Sequence, residues 1–169
     1  RLATLAEQLL DIQRPDQNRA PFARVDLVAV GQRVVADLAP PAIAGGYDIS
    51  FESAAEHVET FVYQTALERA LTNLVQNAIE HAGHRGTIDV RVDLPATIDV
   101  IDQGTGIPAE QRARIFEPFY RMQPLDRGAG LGLNLVREIV HLHQGRVAVL
   151  DNPGGGACFR ITLPAIPSA

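Results

Sequence analysis

Two asparagines, Asn73 and Asn77, stand one helical turn apart inside a stretch that otherwise reads as a helix. Asparagine has modest helix propensity and its amide competes for backbone hydrogen bonds, so the pair needs a reason; a solvated face and a polar site would each supply one. Advancing by about 100° per residue from Tyr63 to Ala82 sorts the faces. Leu67, Leu71, Leu74, Ala78 and Ala82 form an apolar stripe, while Asn73, Asn77, Glu80 and, if the helix reaches that far, His84 gather on another face.

Two further segments have chemistry to offer. Asp102-Gln103-Gly104-Thr105-Gly106-Ile107 follows a run that reads as a strand, and its glycines allow a backbone to approach a flat ligand closely. A carboxylate has only acceptors, so Asp102 suits a ligand edge that presents an N–H donor, such as the exocyclic amine of adenine. A tight turn between strand and helix would use the same residue types. Gly128-Ala129-Gly130-Leu131-Gly132-Leu133 opens a helix, where free N–H groups and the positive end of the helix dipole favour an anion. It follows no strand and its glycine spacing is wrong for a dinucleotide fingerprint, and the chain has no Gly-Lys-Ser/Thr ending of a phosphate-binding P-loop.

The elements that must position these residues alternate irregularly. Arg24–Leu27 reads as a short edge strand, and Asp26 is placed to cap a helix through Val30, Val34, Val35 and Leu38 that Pro40 and Pro41 end. Strand patterns cover Tyr47–Phe51, Thr87–Val92, Thr97–Ile101, Arg146–Leu150 and Cys158–Leu163, with turns around Pro95 and Gly154-Gly155-Gly156. Helices are expected over Thr60–Ala82 with Gly83 as its stop, over Glu110–Phe116, and over Leu131–His143 with Gly145 as its stop. Adjacent hairpins among helices point to a mixed sheet with helices on one face. Leu2, Leu5, Leu9 and Ile12 keep the three-four spacing of a helix-bundle seam, and the polar, proline-edged stretch Asp16–Pro21 reads as a linker.

The chain of 169 residues has 46% hydrophobic and 21% charged residues, the balance of a globular domain with a sizeable core. Fifteen basic against twenty acidic residues leave a net charge of -5, which opposes generic attraction to nucleic acid or an anionic membrane. A lone Cys158 excludes an internal disulfide framework, and scattered histidines do not suit a structural zinc site. No apolar run of bilayer-spanning length is expected, and no signal-peptide pattern opens the chain.

Taken in order, the segments resemble the catalytic and ATP-binding domain of sensor histidine kinases, a branch of the superfamily that includes DNA gyrase, the heat-shock chaperone and the mismatch-repair ATPases. Asn73–Ala78 is similar to the asparagine box, Asp102–Ile107 to the first glycine box, Ile115–Arg121 to the phenylalanine box and Gly128–Leu133 to the second glycine box. Gly154–Phe159, running on to Leu163-Pro164, resembles the closing glycine segment. The resemblance implies an α+β fold of the Bergerat type, a two-layer sandwich with a mixed sheet of about five strands, helices on one face and a short ATP lid from Tyr120 to Arg127. It implies ATP and Mg²⁺ as ligands, with Asp102 receiving the adenine amine and Gly104, Gly106 and Ile107 at the base pocket. Asn73 would position magnesium or phosphate, and Asn77 would give its oxygen to Mg²⁺. Arg121 and Arg127 would contact phosphate, and Gly128, Gly130, Leu131 and Gly132 would place backbone donors near it.

The same resemblance implies transfer of the γ-phosphoryl group to a histidine, for relay to a response regulator receiver domain. None of His57, His81, His84, His141 and His143 stands in the family's acceptor motif, so the acceptor is expected on a dimerisation domain upstream. Residues 1–17 then read as the stub of a dimerisation helix with its linker, and 18–169 as the catalytic domain. The expectation is a cytoplasmic domain of a membrane-anchored homodimer, without nucleic-acid or direct membrane contact. Two features depart or compete. Glu80 stands where many members carry a base, and His81 and His84 read as packing or surface residues. Asn77–Ala82 is also typical of anti-sigma-factor serine kinases, but that group has glutamate at position 73; a non-catalytic nucleotide-sensing module is the third reading.

Overall fold

Strand β1 (Ala23–Asp26) ends on the residue that starts helix α1 (Leu27–Ala44). Asp26 Oδ1 accepts from the Val28 N–H at 3.0 Å, satisfying one of the donors that a helix N-terminus leaves free. The computed structural model describes residues 21–120 and 132–166. The leucine seam at the start of the chain therefore lies outside the described residues. Pro40 and Pro41 do not end α1 as expected; both sit inside it. A proline's fixed φ suits a helix, and what it removes is one donor. Its carbonyl remains, and the Pro41 oxygen accepts from Gly45 N–H at 3.0 Å where the helix closes.

Strand β2 (Asp48–Ser53) follows, and then a strand that the sequence reading missed, β3 (Glu59–Val62). Thr60 was expected to open the long helix. Instead Thr60 and Val62 are buried while Glu59 and Phe61 face outward, and β3 pairs antiparallel with β1 from Ala23 opposite Val62 to Asp26 opposite Glu59. Two β-branched residues at alternate positions suit a half-buried strand better than a helical turn. Helix α2 (Gln64–His81) begins after Tyr63. Its chain turns away at Gly83, φ 86°, so His84 at φ 60° lies beyond the helix.

The main sheet has the order β2-β4-β5-β7-β6, built from β4 (Thr87–Asp93), β5 (Thr97–Ile101), β6 (Arg146–Asp151) and β7 (Ala157–Thr162). Only β2 and β4 run parallel. Register places Val90 beside Val100 beside Phe159, and Val92 beside Ile98 beside Ile161, so one face is a continuous buried surface. Helices α1, α2 and α3 (Gly132–Leu142) supply its cover with Leu27, Val34, Leu67, Leu71, Leu74, Leu135 and Ile139. By length and composition α1 is also apolar enough to cross a bilayer, which corrects the reading that no run reaches that length. Its buried stripe of Leu27, Val30, Val34, Leu38 and Ala42 marks it as a core helix, and its exposed Arg33 pairs with Glu68 of α2.

The other face of the sheet is polar. Cross-strand neighbours Glu52, Arg91, Asp99 and Arg160 alternate in sign, with Arg160 forked onto Asp99 at 2.8 and 2.9 Å. This is the expected two-layer α+β sandwich of a mixed five-stranded sheet. The short helix expected over Glu110–Phe116 is replaced by two 3₁₀ turns, Ala109–Gln111 and Arg114–Phe116. Pro118 disfavours a helical conformation at Glu117, which is extended at φ -74° and ψ 144°, so the second turn stops there.

Candidate functional site

Asp102 leaves the end of β5, near the middle of the sheet, and is 8% exposed. A buried carboxylate needs donors, and Asp102 Oδ1 has two: Gly104 N–H at 2.9 Å and Ala157 N–H at 3.2 Å. No donor among the described residues reaches Oδ2. The main chain of Asp102 is held as well, its N–H on the Ala157 carbonyl at 3.0 Å and its carbonyl under the Asn152 amide at 3.1 Å.

Glycines let the loop after Asp102 pack closely against its neighbours. A Cβ at Gly104 would lie 3.0 Å from Ala82 Cα, so this loop sits against the end of the helix that carries the asparagines. Gly106 takes φ 78° and faces the Gly156 carbonyl. Ile107 then packs half-buried on the core, and its carbonyl accepts from Arg112 Nε at 2.9 Å. The Arg112 guanidinium also pairs with Asp151 at the end of β6. Arg114 lies 5.0 Å over the Tyr120 ring, whose hydroxyl donates to Gln111 at 3.1 Å.

On α2, Asn73 and Asn77 are half-buried while the stripe from Leu67 to Ala82 is buried, as the helical sorting requires. Asn73 Nδ2 makes a long hydrogen bond, 3.4 Å, to the carbonyl of Gly132, the first residue of α3. That leaves the Asn73 oxygen free of the contact. Glu80 is exposed and lies 3.7 Å from the His81 ring. His84 caps a different contact, with its ring nitrogen 3.1 Å from the Gly45 carbonyl and its N–H on the Tyr47 hydroxyl.

The structure thus brings Asn73, Gly132 and the start of α3 together, and Asp102, Gly104 and Gly106 together with the far end of α2. Arg121, Arg127, Gly128, Gly130 and Leu131 lie outside the described residues, as does the lid beyond Tyr120. Two residues escaped the sequence reading. Asn134, 3% exposed, donates to the Phe116 carbonyl at 3.2 Å and fastens α3 to the phenylalanine segment. Asn152 bonds both Asp102 and Gly155. The first had a signal, a polar residue on the apolar side of a helix; the second had none beyond an asparagine before a glycine turn.

Residues 62–167 match the model of the histidine kinase-, DNA gyrase B- and HSP90-like ATPases. The chain belongs to that family. Within it, the chain is a histidine kinase ATP-binding catalytic domain. It is 34% identical to the sensor histidine kinase MtrB of Mycobacterium tuberculosis, over 98% of this chain and 31% of that protein. Among solved structures, the catalytic domain of histidine kinase ThkA superposes with a TM-score of 0.77 at 28% identity, covering 86% of this chain and 99% of that one. Full-length ShkA in complex with AMPPNP gives 0.82 at 26% identity, covering 99% of this chain and 36% of that one. The chain spans about a third of the length of the curated relatives it matches.

Proposed function

We propose that this domain binds ATP with Mg²⁺ and transfers the γ-phosphoryl group to a histidine on a dimerisation domain outside residues 18–169, for relay to a response regulator receiver. The observation that carries the reading is Asp102: a buried carboxylate with one oxygen fixed by two backbone donors and the other left to a ligand's N–H. On this reading Asp102 receives the adenine amine. Gly104, Gly106, Ile107 and Tyr120 border the base. Gly132 belongs to the phosphate end, with Arg121, Arg127, Gly128, Gly130 and Leu131 as its further contacts.

The donor set suits magnesium. Asn73 and Asn77 are half-buried uncharged amides one helical turn apart, the first of them against the start of α3, and an amide oxygen is a hard ligand that leaves room for phosphate oxygens and water. Asn77 is assigned as the ligand and Asn73 as the residue that aligns it. When bound, Mg²⁺ neutralises charge on the triphosphate. Asparagine is no general base, so this chain's residues do not activate water at position 73, and the phosphoryl group is kept for a nucleophile that brings its own lone pair, as neutral imidazole does. That residue also separates the reading from a serine kinase with glutamate there. ATP and the receiver place the domain in the cytoplasm, and a membrane anchor would belong to other parts of the parent.

The test pairs binding with transfer. Given labelled ATP, Mg²⁺ and a separately supplied dimerisation domain, the wild-type chain should place acid-labile phosphate on the supplied domain and none on itself. Asn77→Ala should lose Mg²⁺-dependent ATP binding and transfer together. Unchanged ATP affinity in Asn77→Ala, or stable phosphate on the 169-residue chain alone, would sink the assignment.

A further inference from the structure

Asn152 stands where β6 ends and the glycine turn to β7 begins. Its side-chain nitrogen lies 3.1 Å from the Asp102 carbonyl and 2.9 Å from the Gly155 carbonyl. Both partners are acceptors, so both protons of the amide are in use and only a donor side chain serves here. The turn is tied to itself through Gly155 N–H on the Asn152 carbonyl at 2.9 Å. Gly156, at φ 98°, lets the turn press against Asp102, since a Cβ there would fall 2.0 Å from the Asp102 carbonyl oxygen. The Ala157 carbonyl then accepts from the Asp102 N–H, and the Ala157 N–H donates to Asp102 Oδ1. One short stretch of chain therefore holds Asp102 by its N–H, its carbonyl and its carboxylate. Of these bonds, only the one from Asn152 is made by a side chain.

We propose that Asn152 is a positioning residue for adenine selection: its amide fixes the main chain of Asp102, and so sets where the free carboxylate oxygen meets the 6-amino group of the base. This rests on the assignment of Asp102 to the adenine amine. Gly156 is the steric half of the same device and Asn152 the polar half.

Inosine triphosphate has a 6-oxo group and an N1–H in place of the 6-amino group and the N1 acceptor, so the ratio of ATP to inosine triphosphate affinity reads the base edge that Asp102 is assigned to face. The 169-residue chain is titrated with both nucleotides as wild type, Asn152→Ala and Asn152→Asp, with circular dichroism to verify folding. Aspartate matches asparagine in shape but cannot donate at neutral pH. Both variants should lose about three- to tenfold in ATP affinity, the scale of one or two neutral hydrogen bonds, with little change for inosine triphosphate. A purely structural role would weaken both nucleotides alike and keep the wild-type ratio, which overturns the proposal. Asn152→Asp behaving as wild type would overturn it too. If Asn152→Ala does not fold, Asn152→Ser keeps one donor and should show the same collapse of the ratio in smaller measure, an unchanged ratio again counting against the role. A wild-type chain with no preference for ATP would remove the Asp102 assignment itself, and that failure is visible without any variant.

Discussion

Glu80 places a carboxylate three residues beyond Asn77, where the family resemblance implies a base. Its side chain is 53% exposed and lies 3.7 Å from the His81 ring, and among the described residues no arginine pairs with it. On the proposed reading of the site, a carboxylate one turn from Asn77 repels the triphosphate through water, and at this exposure the effect is modest. Glu80→Gln should raise ATP affinity by up to about threefold at low salt, a gain that fades as the ionic strength rises past the Debye screening range. Isothermal titration at two salt concentrations checks this; a gain that persists at high salt would mean a contact rather than a field. Sequence spacing alone located Glu80, Asn73 and Asn77 because the 3.6-residue period fixes which side chains share a face. It could not show where Glu80 turns, since an exposed rotamer leaves no trace in a pattern. Cys158 is similar: its burial and the nearby Asp99 charge push the thiol up to about 11, which makes it inert at neutral pH, yet a lone cysteine in a sequence says nothing of that.

The elements were legible where a regular period had no stronger pattern beside it. Helices α2 and α3 and strands β4 to β7 carry enough repeats of their period to be read, and each was, within a few residues. Strand β3 has four residues, too few to compete with the long helical pattern that follows it, and it exists because β1 lies beside it. Pro40 and Pro41 misled because proline is a local signal and the burial of Leu38 and Ala42 on either side is a tertiary one. Asp26 joins both levels. Its Oδ1 accepts from Val28 N–H and also from Val58 N–H at 3.0 Å, and its Oδ2 lies 2.9 Å from His57 Nδ1. Burial pulls its carboxyl upward, but the bonds from His57, Val58 and Val28 outweigh that and hold it below the ordinary value. Asp26→Ala removes a helix cap and a loop tie together and should cost about 1–2 kcal/mol, the upper part of the range for a single cap. Chemical denaturation gives the number; a loss no larger than the experimental error would mean that water replaces all three bonds.

Across the whole molecule, the two ends of the α2–α3 pair have different tasks. One end holds Asn73 against Gly132; the other closes on His143, which is 5% exposed. His143 Nδ1 lies 2.8 Å from the Ile139 carbonyl and must donate to it, so Nε2 is the acceptor for Tyr63 N–H at 3.0 Å. Phe22, next to the start of β1, covers the ring with centroids 5.1 Å apart. The imidazole is therefore neutral in the fold: burial lowers its tendency to protonate, partly offset by the bond to Ile139. Its folded value lies below the unfolded one, so below about pH 6.5 the unfolded chain takes up the proton first and stability falls with pH until the folded value is passed. His57 acts with the opposite sign. Its hydrogen bond to Asp26 raises its folded value, so its contribution is complete below about pH 6.5 and is lost as pH rises from there through the raised folded value. The two dependences overlap in the wild-type melting curve and separate in variants. His143→Gln should cost about 1–3 kcal/mol, because Tyr63 N–H loses a buried acceptor, and should flatten the decline in melting temperature from pH 7 to pH 5. His57→Gln should leave that acid-side decline in place and remove the loss on the alkaline side. If the decline from pH 7 to pH 5 survives in His143→Gln, another group carries it, and the junction of Phe22, Tyr63 and His143 is not what senses the proton.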